Sequence, residues 1–168
     1  MIGFSEGFHD AAVTVINDGR IDFATHAERY SKKKHDKNLG SLLASVAQDY
    51  TDDDKIAFFE RPLLKKTRQF VAGQYKTVFR RRKLAYRPTH YFGHHLSHAA
   101  AAFQTSPFND AAIVVVDSIG EWDTASIWKA RYQDDGTAGY WKWWSMRYPK
   151  SIGLWYSALT KWAGFRPL

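Results

Sequence analysis

The sequence predicts an α/β fold in which one strand-rich pattern begins twice. Three observations lead there. Met1–Ser5, Ala11–Ile16 and Ile21–Thr25 are short β-branched or alternating stretches, the last two joined by Asn17-Asp18-Gly19-Arg20. Asp-Gly accepts the positive φ of a type I′ hairpin turn. A second series repeats the plan: Ala111–Val116, then Asp123–Tyr132 and Gly139–Tyr148, the last two joined by Asp134-Asp135-Gly136. Between and after them lie stretches with apolar residues at helical spacing.

Residues 38–50 carry Leu39, Leu42, Leu43, Val46 and Ala47 at helical spacing, with Asn38 as a cap. Lys55–Phe59 reads as a buried strand, residues 62–83 as helix broken near Gly73, and Thr89–Phe92 as a strand after Pro88. His94–Gln104 is helical through Ala99–Ala102 and stops at Thr105-Ser106-Pro107. Ala111–Val116 has no alternation, which predicts a strand buried on both faces. Ser151–Ala163 is an amphipathic helix with Gly164 as its C-cap. The physical picture is a ribonuclease-H-like lobe (βββαβα) over residues 1–109, followed by the start (βββα) of a second over 110–168. A nucleotide would sit between them.

Composition narrows the function classes. The 168 residues are 45% hydrophobic, enough for a real core, and no apolar run reaches the roughly 18 residues that cross a bilayer. The N-terminus has neither a basic start nor an apolar stretch, so no signal peptide is expected there. With no cysteine, disulfide scaffolds and Cys-based zinc sites are excluded, and a cytoplasmic location is the expectation. The 24 Lys+Arg against 17 Asp+Glu give +7, which favours anionic partners. Ten of those cations fall between Arg61 and Arg87, without an acidic residue between Glu60 and Asp110. This stretch reads either as a solvated helical face or as a patch for nucleic acid. Trp141, Trp143, Trp144, Trp155 and Trp162 read as core and lobe-interface packing rather than as a stacking platform.

The densest chemistry is Gly93-His94-His95-Leu96-Ser97-His98. His94 and His98 are i and i+4, so a helix puts both imidazoles on one face. A third ligand is expected from Asp117, at the end of the strand Ile113–Val116. Two His and one carboxylate suit non-haem iron, manganese or zinc. His-Glu-x-x-His is not met, and His95 points elsewhere, as a supporting or substrate contact. His9-Asp10, in the first strand turn, is either a hydrogen-bonded turn or a catalytic base or substrate hook. Asp117-Ser118-Ile119-Gly120-Glu121 is the equivalent turn of the second series, where a small residue and a Gly allow close approach of a phosphate.

Together these stretches resemble the N-terminal part of the O-carbamoyltransferase family of nodulation and antibiotic-tailoring enzymes. The resemblance rests on Ile2–Ser5 with His9–Ala12, Glu28–Asp36, His94–Ala100, Ser106–Phe108, Val116–Glu121, and Ile152–Tyr156 with Gly164-Phe165, in family order. It implies a two-lobed actin-like ATPase architecture. It implies an iron-type metal on His94, His98 and Asp117, with a further Asp from beyond residue 168. His9 would act beside the carbamoyl group as base or orienter, Lys34 would contact that group or phosphates, and Ser118, Gly120 and Glu121 would line the nucleotide.

The implied reaction activates carbamoyl phosphate with ATP to carbamoyladenylate in a second domain. The carbamoyl group then moves to the hydroxyl of a small-molecule acceptor. The family places Gly where Ser118 stands, and it continues past residue 168 into the rest of the lobe and the activating domain. The isolated 168 residues are therefore expected to be weakly active or inactive, needing those parts from the same gene or a separate chain. The alternative is a non-catalytic nucleotide- or nucleic-acid-binding module using the basic 61–87 stretch.

Overall fold

A computed structural model of the chain describes residues 1–8, 10–40, 43, 55–78 and 84–166. They form two compact units, Met1–Phe59 with Tyr75–Phe92, and Glu60–Gln74 with Gly93–Leu168. The fold is mixed α/β, with a five-stranded mixed sheet and a three-stranded antiparallel sheet.

In the first unit the strands are β1 (Ile2–Ser5), β2 (Ala12–Asn17), β3 (Arg20–His26), β4 (Ile56–Phe58) and β5 (His90–Tyr91), with a short helix α1 (Glu28–Ser31) after β3. Their order is β3-β2-β1-β4-β5, antiparallel across β1–β3 and parallel from β1 through β4 to β5. The predicted hairpin forms with Asp18 at φ 46° and Gly19 at φ 75°, as a type I′ turn requires. Ile2, Phe4, Val13, Val15 and Phe58 make the core, and the Phe4 ring meets those of Phe58 and Tyr86 at 5.0 and 5.4 Å. Buried Glu6 staples distant backbone to the end of β1: its carboxylate accepts from Leu39 N at 2.9 Å and Ala85 N at 2.6 Å. The helix expected over 38–50 falls largely outside the described residues.

The second unit opens with α2 (Pro62–Val71). The described residues continue through α3 (Tyr75–Val78), which belongs to the first unit, to α4 (His94–Gln104), β6 (Asp110–Gly120), β7 (Asp123–Tyr132), β8 (Ala138–Arg147) and α5 (Ile152–Trp162). The sheet order is β6-β7-β8. Helix α4, which the sequence reading places in the first lobe, packs on β6, β7 and β8 and buries Ala99 and Phe103 against Ile113, Val115, Trp128 and Ala130. Ser151 caps α5 by accepting from Leu154 N at 3.0 Å.

Three expectations need correcting. Strand β6 is not buried on both faces: Ile113 and Val115 are, whereas Val114 and Val116 are 67% and 54% exposed. It is a half-covered antiparallel strand, whose outer face happens also to be apolar. The five tryptophans are not core residues: all are exposed, from 49% to 86%. Nor is the basic stretch uniformly solvated. Lys65 and Arg68 are buried, Lys65 on Glu60 at 2.7 Å and Arg68 over the Tyr148 ring at 5.9 Å. Residues 79–83 of that stretch lie outside the described residues. Among the described residues no helix is long and apolar enough to cross a membrane.

Candidate metal centre

Helix α4 sets two imidazoles one turn apart. Their rings stand 4.8 Å centre to centre, with His94 Nε2 and His98 Nε2 3.1 Å apart. His94 Nε2 also lies 2.8 Å from Asp117 Oδ2. One ligand-capable atom from each of the three residues lies within 4.8 Å of the others. Donors bound to one ion at ordinary lengths of about 2.0–2.2 Å stand roughly 3.0–3.5 Å apart; His94 is near that spacing from both neighbours, and the widest pair, within 4.8 Å, has to close by up to about an ångström to share a single divalent cation. Two His and one carboxylate leave positions open for exogenous ligands, as a reactive site needs.

Asp117 reaches the helix because β6 is irregular there. Val116 pairs with Ala125 but Gly120 pairs with Asp123, so β6 carries two residues more than β7 over this stretch. Such a bulge re-aims side chains out of the pleat. The bulge is held from beneath: Ser151 Oγ donates to Ser118 O at 2.7 Å, and Gly153 of α5 lies directly against it. A Cβ on Gly153 would come within 2.7 Å of Ser118 Cα and 2.8 Å of Asp117 O. Gly153→Ala should therefore displace the bulge, because main-chain atoms cannot swing aside. The gain in helix propensity, about 1 kcal/mol, is smaller than an overpacking cost of about 1–3 kcal/mol. We expect a lower urea midpoint and at least about tenfold weaker metal binding by calorimetry.

Gly120 is fixed by crowding. A Cβ there would sit 2.4 Å from His94 Cδ2 and 2.7 Å from His95 Cδ2. His95 itself turns into the core, 3% exposed, with Nδ1 2.7 Å from Ser126 Oγ, which also accepts from Trp128 Nε1 at 2.7 Å. Burial lowers its pKa, so it stays neutral. Ser118 is exposed beside Asp117.

The electrostatics suit a cation. Burial pushes the Asp117 carboxyl upward, but the hydrogen bond and charge of His94, with the Ser118 N–H, outweigh it and hold the pKa at about 2. His98 keeps an exposed edge, yet desolvation and the neighbouring His94 hold its pKa below the ordinary histidine value. An ionised carboxylate and neutral imidazoles are the ligating forms. Burial raises the Glu121 pKa against the opposing N–H groups of Arg61, which donates to its carboxylate, and of His94 nearby. Beside the triad opens a cleft of about 570 Å³, bordered by Arg61, His94, His95, Lys142 and Arg147.

In the first unit, the turn after β1 and the loop carrying Lys34 are joined: Gly7 N donates to Lys37 O and Ala11 N to Asp36 O, both at 2.8 Å. Asp10, at φ 50°, places Oδ1 3.5 Å from His35 Nδ1, and Lys34 is exposed. His9 lies outside the described residues. Sequence reasoning missed Ser126, Ser151 and Gly153 as supports. For Gly153 the signal existed, since a glycine inside a helical pattern often marks close packing.

A family model described as the carbamoyltransferase N-terminus matches residues 43–167. The chain belongs to the carbamoyltransferase N-terminus family. Among its relatives, an uncharacterized Synechocystis protein, sll1178, is 30% identical across 99% of this chain. The nodulation protein NolNO of Sinorhizobium fredii is 26% identical across 68% of it. The chain spans 32% of the length of the first and 20% of the second. In this carbamoyltransferase N-terminus chain, the His94–His98 pair, Asp117 and the Gly153 contact all fall inside the matched region.

Proposed function

We propose that the chain supplies the metal-binding part of a carbamoyl-transfer site, with His94, His98 and Asp117 holding one divalent ion: iron, or else manganese or zinc. The observation that carries this reading is the convergence of those three donors within the family-matched segment. When bound, the ion supplies Lewis acidity and an anchor for phosphate oxygens. The nucleotide is carbamoyladenylate, made from carbamoyl phosphate and ATP by polypeptide other than this segment. The acceptor is a hydroxyl of a small molecule; its oxygen bonds to the carbamoyl carbon as AMP leaves and the hydroxyl proton passes to a base.

Each residue has a role in this scheme. His9, with Asp10 beside it, serves the carbamoyl group as base or orienter, and Lys34 contacts that group or a phosphate. Ser118 and Gly120 line the phosphate path next to Asp117. The strand order β3-β2-β1-β4-β5, antiparallel then parallel, supports a ribonuclease-H-like lobe of the actin-like ATPase architecture.

The test is titration of the metal-free chain with iron(II) under nitrogen, and with manganese(II), cobalt(II) and zinc(II). One equivalent per chain, with cobalt bands of an N/O environment, is the expected result. No saturable binding of any of the four would overturn the reading.

A further inference from the structure

We propose that Glu121 is the positioning residue of the metal centre: its carboxylate, fixed on the β6–β7 turn, clamps the first turn of α4 so that His94 and His98 stand opposite Asp117. This rests on the metal-binding reading above.

Helix α4 has an unsolved problem at its start. A helix leaves its first N–H groups without intrahelical partners, and a side-chain oxygen at the N-cap normally accepts from one. Here the N-cap is Gly93, which has no side chain, and the first turn carries no acidic residue. Glu121 provides what is missing from elsewhere in the fold. Its carboxylate accepts from the backbone N–H of Arg61 and faces that of His94, whose dipole works against the burial of the carboxyl. Oε2 sits 4.0 Å from where a Gly93 Cβ would be, at the helix mouth.

An anion there also complements the positive end of the helix dipole. A water could satisfy the same N–H, but only a side chain ties the helix to the turn. That turn is two residues long, between Gly120 and Asp123, and Gly120 already presses on His94. Glu121 itself holds φ 58°, an uncommon conformation for a residue with a Cβ. The clamp therefore joins three pieces: the segment opening at Arg61, the histidine helix, and the strand whose bulge carries Asp117.

The experiment compares Glu121→Ala, Glu121→Gln and the parent in two readouts, cobalt(II) affinity and amide hydrogen exchange at Arg61 and His94. For Glu121→Ala we expect affinity about 10–100-fold weaker, the usual effect of losing a supporting partner, together with faster exchange at both amides. Glu121→Gln keeps one acceptor oxygen and should fall between. His98→Ala, as a control, should lose cobalt yet keep both amides slow. Unchanged exchange in Glu121→Ala overturns the clamp whatever the affinity does; an affinity loss with unchanged exchange would make Glu121 a ligand instead. If the parent takes no cobalt, the metal reading fails separately, and exchange alone decides the clamp. Should Glu121→Ala lose its far-ultraviolet dichroism, Glu121→Gln decides by the same criteria.

Discussion

Asp117→Ala will weaken metal binding by more than about 100-fold, beyond the ~10–100-fold typical of losing a supporting partner. Asp117 is the only anionic donor of the triad, and it is the one whose approach depends on the bulge in β6. Without it two neutral imidazoles remain, on one helical face, with no charge to offset a divalent cation. Asp117→Asn keeps the shape and one carbonyl oxygen, so it should retain the fold but little of the affinity.

The metal-free protein should change as well. A carboxyl held at about 2 when folded, against an ordinary 3.8, contributes stability above pH 4 that is lost as the pH falls towards 2. Equal calorimetric affinity in parent and Asp117→Ala would remove Asp117 from the site.

Lys65→Met will be among the most destabilising single changes in the second unit. Lys65 Nζ donates to both oxygens of Glu60, at 2.7 and 3.0 Å, with side-chain exposures of only 10% and 3%. Removing the cation strips a buried carboxylate of its closest counter-charge and leaves it the more distant Arg68, at a cost of up to about 3–5 kcal/mol. The paired change Glu60→Met with Lys65→Met should recover most of that loss, since apolar replacement of a whole buried pair is often neutral. Urea unfolding of the two variants checks both halves; a double variant as unstable as the single would show that the pair does more than neutralise itself. The same pair explains why this helix misleads a reader of the sequence. Two of its three cations, Lys65 and Arg68, are buried while Leu63 and Val71 are 74% and 70% exposed.

What the sequence displays and what it hides divide along a physical line. Local rules suffice for the Asp18-Gly19 hairpin, for the limits of His94–Gln104, and for the shared face of two histidines. The meeting with Asp117 needed one long-range guess, that a carboxylate at the end of a strongly apolar strand opens toward the helix. What stayed hidden depends on partners far away in sequence. An apolar run such as Ala111–Val116 looks the same whether one face or both are covered. Glu121, expected beside a nucleotide, spends its carboxylate on a backbone N–H 60 positions earlier in the chain. Nothing in its neighbours' identities announces that bond.

The exposed indoles give the molecule its own optical reporter. Trp128 is 8% exposed and stacked under Lys142 Nζ at 5.5 Å, whereas Trp143, Trp155 and Trp162 are 68%, 64% and 86% exposed. Emission from the free chain will be red and readily quenched by acrylamide, with one shielded component from Trp128. Any molecule that settles over those rings will shift the spectrum to the blue, so association can be followed without attaching a dye.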